Sequence, residues 1–494
     1  MSRRKVRQEL NAPALRTVQS YLDETPAWSD GTAAPASPMT EMQWRIWWLA
    51  VAGKFFEGFV VFITGVALPL IAKEFALTAM QHGLVGAASV FGILIGATAL
   101  GGLSDRFGRR PIFVLEMALF AIFLVLILFS SSVPWLVACL FGMGLALGCD
   151  YPTAHLVISE STNTRRRGAL VLGAFGFQAV GALGGMATGF FILDMHPQLD
   201  AWRWMYATAI VPAIVVALAR IFVTESPLWL VARGKRRSAE EEIHRLLYRE
   251  PRYPTSVTLA PPSSLHTDSA SRLHGYAQLF RGRNLRATIL ASVPWFLQDL
   301  ATYGIGIFTP TILAATLGHQ RVYTQSVSDI VARDIVGAKG AALVDILLIV
   351  GIIAAILLAD RVGRIRLQVA GFVGCACGLF IAAQSETFAG DHRIWLIYAG
   401  FMLFNFSTNI GPNAQTYLLA GEVFPTAIRA KGAGFAASFA KIGAVLTAFL
   451  FPILLVDLGT ARLLYILCAA SLLGAVITWT FRIETTGVSL EDVK

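Results

Sequence analysis

Charged side chains are scarce in this chain of 494 residues: Asp, Glu, Lys and Arg together make 14% of it, against about 25% in an ordinary soluble domain. That scarcity excludes a conventional water-soluble fold. Cysteine is scarce as well. The five present, Cys139, Cys149, Cys375, Cys377 and Cys468, are odd in number and fall inside apolar runs, which argues against a disulfide framework. The sequence also lacks a metal-ligating cluster, a phosphate-cradling glycine loop followed by Lys and Ser or Thr, and a nucleophile–base arrangement. Neither an enzyme nor a bound metal or cofactor is expected. The N-terminal stretch lacks the short apolar core and cleavage site of a signal peptide. Residues 1–44, polar and carrying Arg3, Arg4 and Lys5, read as a flexible cytoplasmic arm.

What the chain has instead is long apolar runs. Hydrophobic residues make up 55% of it. Runs of about 20 residues, the length that crosses a bilayer as a helix, lie at about 47–72, 83–103, 111–131, 134–158, 169–193, 203–223, 287–315, 340–359, 367–385, 395–420, 432–456 and 462–481. Hydrocarbon leaves open backbone without a partner, and the alternating short strands of a barrel are not seen. The expectation is an all-α membrane protein with twelve transmembrane helices. Lys and Arg concentrate after the even-numbered spans: Arg106, Arg109 and Arg110; Arg165, Arg166 and Arg167; Arg233, Lys235, Arg236 and Arg237; Arg361, Arg364 and Arg366; Arg429 and Lys431. Both termini are then cytoplasmic. The net charge of +9 is a topology signal, and no nucleic-acid partner is expected.

The polar interval 224–285, with the charged RGKRRSAEEEIHRLLYRE and the loose PPSSLHTDSASR, divides the spans six and six. It reads as a cytoplasmic linker, helical in part at 238–248, between an N-terminal half at 45–223 and a C-terminal half at 286–482, with a cytoplasmic tail at 483–494. DRFGRR at 105–110 recurs as DRVGRI at 360–365, and Glu160 with Arg167 is echoed by Glu422 with Arg429 at the same seven-residue spacing. Two coincident echoes predict a duplicated six-helix unit with a solute site near the midplane, where the halves meet. The charged motifs read as a conformational latch: Gly101, Asp105, Arg106, Gly108, Arg109, Glu160 and Arg167 in one half, Asp360, Arg361, Arg364, Glu422 and Arg429 in the other. Carboxylates and guanidiniums there bridge helix ends and hold one closed state, while the glycines allow close packing and a tight turn.

GGLSDRFGRR at 101–110 resembles the loop signature of the major facilitator superfamily, and TESPLWLVARGK, GEVFPTAIR and ETTGVSLED resemble its sugar-porter motifs after spans six, ten and twelve. The resemblance covers nearly the whole folded chain and implies the major facilitator fold, two pseudo-symmetric six-helix halves. Ile483 stands where the last motif usually has Pro.

The polar residues inside the apolar runs are the candidates for chemistry, since an ionised carboxylate in hydrocarbon costs a few kcal/mol even on lenient scales. In span one Lys54 and Glu57, three apart, can pair on one helical face; mutual neutralisation and a proton-relay role for Glu57 are both open. Span four carries Asp150 and Tyr151, and span five carries Gln178. Span seven places Trp295, Asp299 and Tyr303 at successive four-residue steps, lining an indole, a carboxylate and a phenol along one face. Core packing accounts for the two aromatics but not for Asp299 between them. Span ten supplies Asn409 and Asn413 around a Gly-Pro break at 411–412, where backbone groups are freed toward a cavity. Lys441 follows in span eleven. His155, five residues after Asp150, points elsewhere and is expected to be satisfied by a neighbouring helix.

GCDYPTAHLVISE with TRRRGA, then Gln178, WFLQDLATY, NIGPNAQTY and AKIGA, resembles the phosphate:proton symporters of that superfamily. The resemblance implies substrate binding by Tyr151, Gln178, Trp295, Asp299, Tyr303, Asn413 and Lys441, and proton coupling by Glu57, Asp150 and Asp299. In span one the chain departs from that family, with Val60 where the family has a second acidic residue. The expected function is proton-coupled symport of a small polar solute by alternating access, with inorganic phosphate foremost and an organic acid or sugar as the alternative. A nutrient-sensing receptor built on the same cavity is the alternative of another class. Expected partners are the solute, protons and the lipid bilayer of a bacterial inner or plasma membrane, with the chain working as a monomer.

Overall fold

The computed structural model describes residues 16–23, 38–100, 103–250, 253–254, 256–259, 277–317, 327–425 and 428–486. Twelve long helices carry the fold among them: α1 (Glu41–Glu74), α2 (Ala79–Leu100), α3 (Arg109–Leu128), α4 (Val133–Ser161), α5 (Thr164–Met195), α6 (Ala201–Arg220), α7 (Gly282–Leu317), α8 (Val327–Val362), α9 (Arg364–Gln384), α10 (Asp391–Glu422), α11 (Arg429–Leu458) and α12 (Thr460–Thr480). Each overlaps one expected apolar run. Among the described residues, eleven are long and apolar enough to cross a membrane. The remaining helix, α7, has 36 residues and carries Gln298, Asp299, Thr302 and Tyr303 near its middle. This fold is all-α, two six-helix halves of a multi-pass membrane protein.

Local sequence sets several helix ends. Thr40 accepts from the Gln43 amide while the Gln43 side chain returns to the Thr40 amide, and Thr78 with Gln81 repeats this box at the start of α2, so the first free amides of each helix are satisfied. Helix α10 breaks at Gly411 into Asp391–Ile410 and Pro412–Glu422, with Pro412 in a first turn, where its missing N–H is not needed. The interior is mainly apolar, as in a soluble protein, but so is much of the exterior. Trp204, Phe222, Trp395 and Val476 are exposed, where lipid takes the place of water, while Lys54, Glu57, Asp150, Arg220, Asp299 and Lys441 are buried.

The repeat legible in the sequence is also a repeat of contacts. Arg109 grips Glu160 at the end of α4 at 3.0 and 3.2 Å, and Arg364 grips Glu422 at the end of α10 at 3.2 and 3.3 Å. Gly108 and Gly363 precede them with φ of +109° and +102°, backbone that favours glycine. The Arg109 amide donates to Glu225 Oε1 at 2.9 Å and the Arg364 amide to Glu484 Oε1 at 3.0 Å, so each of these helix N-termini meets a carboxylate. Asp105 reaches Arg109 at 2.6 Å. Arg167 donates to Gln19 at 3.0 Å. Arg106 and Arg361 are exposed. Gly101 lies outside the described residues, as do the side chains of Asp360 and Arg429.

The N-terminal arm is not loose throughout, which corrects that expectation. A short helix, Val18–Asp23, buries Val18, Tyr21 and Leu22 in a cluster shared with Ile46 and Trp47 of α1 and with Ile243, Leu246 and Leu247 of the linker. The spacing of these three residues puts them on one helical face, and Tyr21 accepts from the Thr258 amide at 2.9 Å. The expected linker helix is present as Arg236–Leu247.

Candidate functional site

Helices of both halves leave a cavity of about 30 Å³ near the middle of the bundle, room for about two waters. From the first half it is lined by Phe62 of α1, Tyr151 of α4, and Phe175, Gln178, Ala179 and Ala182 of α5. The second half contributes Trp295, Asp299, Thr302 and Tyr303 of α7, Leu348 of α8, Asn409 and Asn413 of α10, and Lys441 of α11. All seven residues expected to bind solute therefore meet at one cavity. The four-residue steps of α7 bring its stripe to the wall, and the Gly411 break lies between the two asparagines.

One network organises the charge there. Lys441 Nζ donates to Tyr303 Oη at 2.5 Å and to Asp299 Oδ2 at 3.2 Å, and lies 3.9 Å from Glu57 Oε1. Glu57 is held by Lys54 at 2.8 Å, the pairing expected from their spacing, and accepts weakly from Gln178 and Tyr303 at 3.3 and 3.4 Å. Two ammonium and two carboxylate groups thus balance, with Tyr303 at their centre. The Lys54 ammonium also sits 3.3 Å from the centre of the Tyr151 ring, a cation–π contact. The Tyr151 hydroxyl is buried without a hydrogen-bond partner.

Asp150 does not line the cavity. Its carboxylate meets Arg220 of α6 at 2.7 Å, and Arg220 also lies 3.3 Å from Glu116 of α3. The close approach to Arg220 lacks the alignment of a hydrogen bond, and Asp150 Oδ1 has no hydrogen-bond partner. Gly53 of α1 makes room for this carboxylate, which a Cβ at that position would strike. Glu116 and Arg220 went unnoticed in the sequence although they carry the same signal as Asp150, a charge inside an apolar run. Tyr417 was missed too. It stacks on Phe175 with ring centres 4.6 Å apart, meets Tyr151 and Trp295 edge-on at 6.1 Å, and its hydroxyl lies 3.0 Å from His155 Nδ1. This is the neighbouring-helix partner expected for His155, and it joins the two halves at one flank of the cavity.

The family model described as "Sugar (and other) transporter" matches residues 41–494. The inner membrane metabolite transport protein YgcS of Escherichia coli is 28% identical over 92% of this chain and 94% of its own length. A Schizosaccharomyces pombe protein named "Putative inorganic phosphate transporter C8E4.01c" is 24% identical over 92% of this chain and 88% of its own length. Among solved structures, that of the major facilitator superfamily proton:xylose symporter XylE bound to 6-bromo-6-deoxy-D-glucose superposes with a TM-score of 0.70 at 21% identity, covering 92% of this chain and 98% of that one.

Proposed function

This chain belongs to the sugar (and other) transporter family, a family of carriers and not of enzymes, and from that premise we propose that it is a proton-coupled symporter of a small anion, inorganic phosphate foremost. The observation that carries this reading is the contact of Lys441 with Asp299 and Tyr303 at the cavity wall. An anion cannot settle beside an ionised Asp299, and Lys441 is already neutralised while Asp299 is ionised. A proton on Asp299 removes both obstacles, leaving a hydrogen-bond donor and a lysine free to pair with the solute. Proton and anion therefore load together. Tyr151, Gln178, Trp295, Tyr303 and Asn413 add neutral donors that orient the anion without binding it irreversibly.

Glu57 and Asp150 serve as further proton sites in this reading. With Glu116 and Asp150 both ionised against one Arg220, that buried cluster is one negative charge out of balance, and a single proton neutralises it. The charged loops and both termini face the cytoplasm, and the paired Arg109–Glu160 and Arg364–Glu422 contacts are the latch on that side. The phosphate assignment draws on the name of the S. pombe relative. A second reading, an organic acid or sugar as solute, is favoured by the apolar wall of Phe62, Phe175, Ala179, Ala182 and Leu348.

Counterflow in proteoliposomes tests the proposal. Phosphate inside is expected to accelerate uptake of labelled phosphate from outside, while sugars and carboxylates do not compete. Counterflow of a labelled sugar or carboxylate with no phosphate exchange replaces phosphate as the solute. Absence of exchange with every solute favours a receptor.

A further inference from the structure

Helix α8 buries two carboxyl groups that the mechanism above does not use. Asp334 and Asp345 are each 2% exposed. They are three helical turns apart, so they share a face of α8 and stand about 16 Å apart along it. Each keeps one oxygen, Oδ2, buried without a hydrogen-bond partner. The other oxygen of Asp345 accepts from Asn405 Nδ2 of α10 at 2.9 Å. This pair lies one turn from the cavity on both helices, because Leu348 and Asn409, the next residues on the same faces, line it. Asn409 donates to the Leu348 carbonyl at 2.8 Å and accepts from Asn413 at 2.7 Å. Amide groups thus step from Asp345 to the cavity wall.

A polar clamp between α8 and α10 accounts for one oxygen of Asp345. It does not account for the other, nor for Asp334. An ionisable side chain kept in hydrocarbon marks an ion path by default. Among the described residues, several titratable groups on the helices packed against α8 are engaged elsewhere, while Asp391, His392 and Arg393 stand in the first turn of α10, Arg393 with a buried Nε that has no hydrogen-bond partner. Asp299 and Tyr303 of α7 and Glu57 of α1 face Lys441, and Lys54 of α1 holds Glu57. Arg364 of α9 holds Glu422 of α10, the Cys375 thiol of α9 donates to the Phe404 carbonyl, and Tyr417 of α10 meets His155. Arg167 and Asp194 lie at the two ends of α5.

We infer that Asp345 is a proton-binding residue of the transport cycle, supplied by way of Asp334 from the end of the bundle opposite the charged loops and connected to the cavity through Asn405, Asn409 and Asn413. The inference rests on the proton-coupled reading above. It gives the second half a proton site of its own, separate from Asp299. A bound proton makes Asp345 neutral and turns its unpartnered oxygen into a donor. Its release toward the cavity restores a carboxylate that holds Asn405 more tightly.

The test uses the full chain in proteoliposomes with inorganic phosphate as the solute. Asp345→Asn is expected to lower accumulation driven by a pH gradient about tenfold more than it lowers phosphate exchange, and Asp334→Asn to slow the driven uptake without abolishing it. Parent-like driven accumulation in Asp345→Asn overturns the inference, and so does equal loss of both modes in folded protein, which is the behaviour of a clamp. Carbodiimide labelling of the parent protein needs neither a solute nor a variant, and decides the matter where Asp345→Asn does not fold or the parent moves no phosphate. Labelling of Asp345 that declines as external pH rises supports the inference; labelling that is absent or indifferent to pH overturns it. Failure of the parent to move phosphate counts against the carrier reading alone.

Discussion

Arg220 of α6 stands 2.7 Å from Asp150 of α4, with the arginine side chain fully buried and that of the aspartate 3% exposed. This contact is the reason a carboxylate tolerates its place a little past the middle of α4. The guanidinium supplies the counter-charge that lipid cannot, and Glu116 at 3.3 Å leaves the trio one negative charge in excess. A proton is the natural complement of that excess.

Asp150→Asn therefore imitates the protonated cluster, with one carboxylate left per guanidinium. Phosphate exchange is expected to survive, because exchange never requires the empty carrier to reset by deprotonation. Net uptake driven by a pH gradient is expected to fail. Both modes, measured in the same liposomes with folding verified, check this; equal loss of both makes Asp150 a structural residue.

Removing the cation is a different matter. Arg220→Ala leaves Asp150 and Glu116 facing each other in the interior without a counter-charge, and breaking a buried pair in this way costs about 3–5 kcal/mol. Purified variant protein is expected to unfold at a clearly lower temperature than the parent. An unchanged unfolding temperature would mean that water reaches the cluster.

At the cavity wall, Tyr303→Phe takes a partner from Lys441 and Trp295→Ala takes a donor from the α7 stripe. Each is expected to weaken solute affinity roughly tenfold, the loss typical of one hydrogen bond to a charged group. Equilibrium binding of phosphate is the measurement. Parent-like affinity in both variants would make the stripe core packing.

The tail offers a pH prediction outside the membrane. Partial burial raises the Glu484 carboxyl, but the Thr486 hydroxyl and the amides of Arg364, Thr486 and Ile365 donate to it and hold it below the ordinary carboxylate range. A carboxylate held low stabilises tail docking fully above that range and loses the contribution as pH falls through its own lowered value. Hydrogen exchange at the Arg364 and Ile365 amides, corrected for intrinsic rates, is expected to accelerate there. Glu484→Gln is expected to exchange fast already at neutral pH; parent-like protection in that variant would contradict the cap.

Membrane physics made most of the fold legible. Apolar runs of spanning length must become helices in lipid, so all twelve were located. The cavity was legible because its polar residues stand out against apolar neighbours: Gln178, Asp299 and Lys441 have no other reason to be where they are. Partnerships were harder to read, since they depend on which helix faces which. Nothing in the runs containing Asp150, Glu116 and Arg220 says that these three converge, or that Glu160 meets Arg109 while Arg167 turns to Gln19. Asp345 carried the same local signal as Asp150 but lacked a neighbouring motif to draw attention to it, and Asp334 lies before the apolar run at 340–359, beside Arg333. The docked turn at Val18–Asp23 was hidden for the opposite reason: three apolar residues in a polar arm are too few to signal a buried face by themselves.

Simultaneous recording of phosphate uptake and external pH in one proteoliposome suspension tests the coupling at Asp299 and Lys441 most directly. Adding phosphate to the parent protein is expected to alkalinise the medium as phosphate enters, while Asp299→Asn is expected to exchange phosphate with no proton movement. Phosphate entering the parent without any change in external pH, or alkalinisation that persists in Asp299→Asn, would contradict the mechanism in which one proton on Asp299 frees Lys441 for the anion.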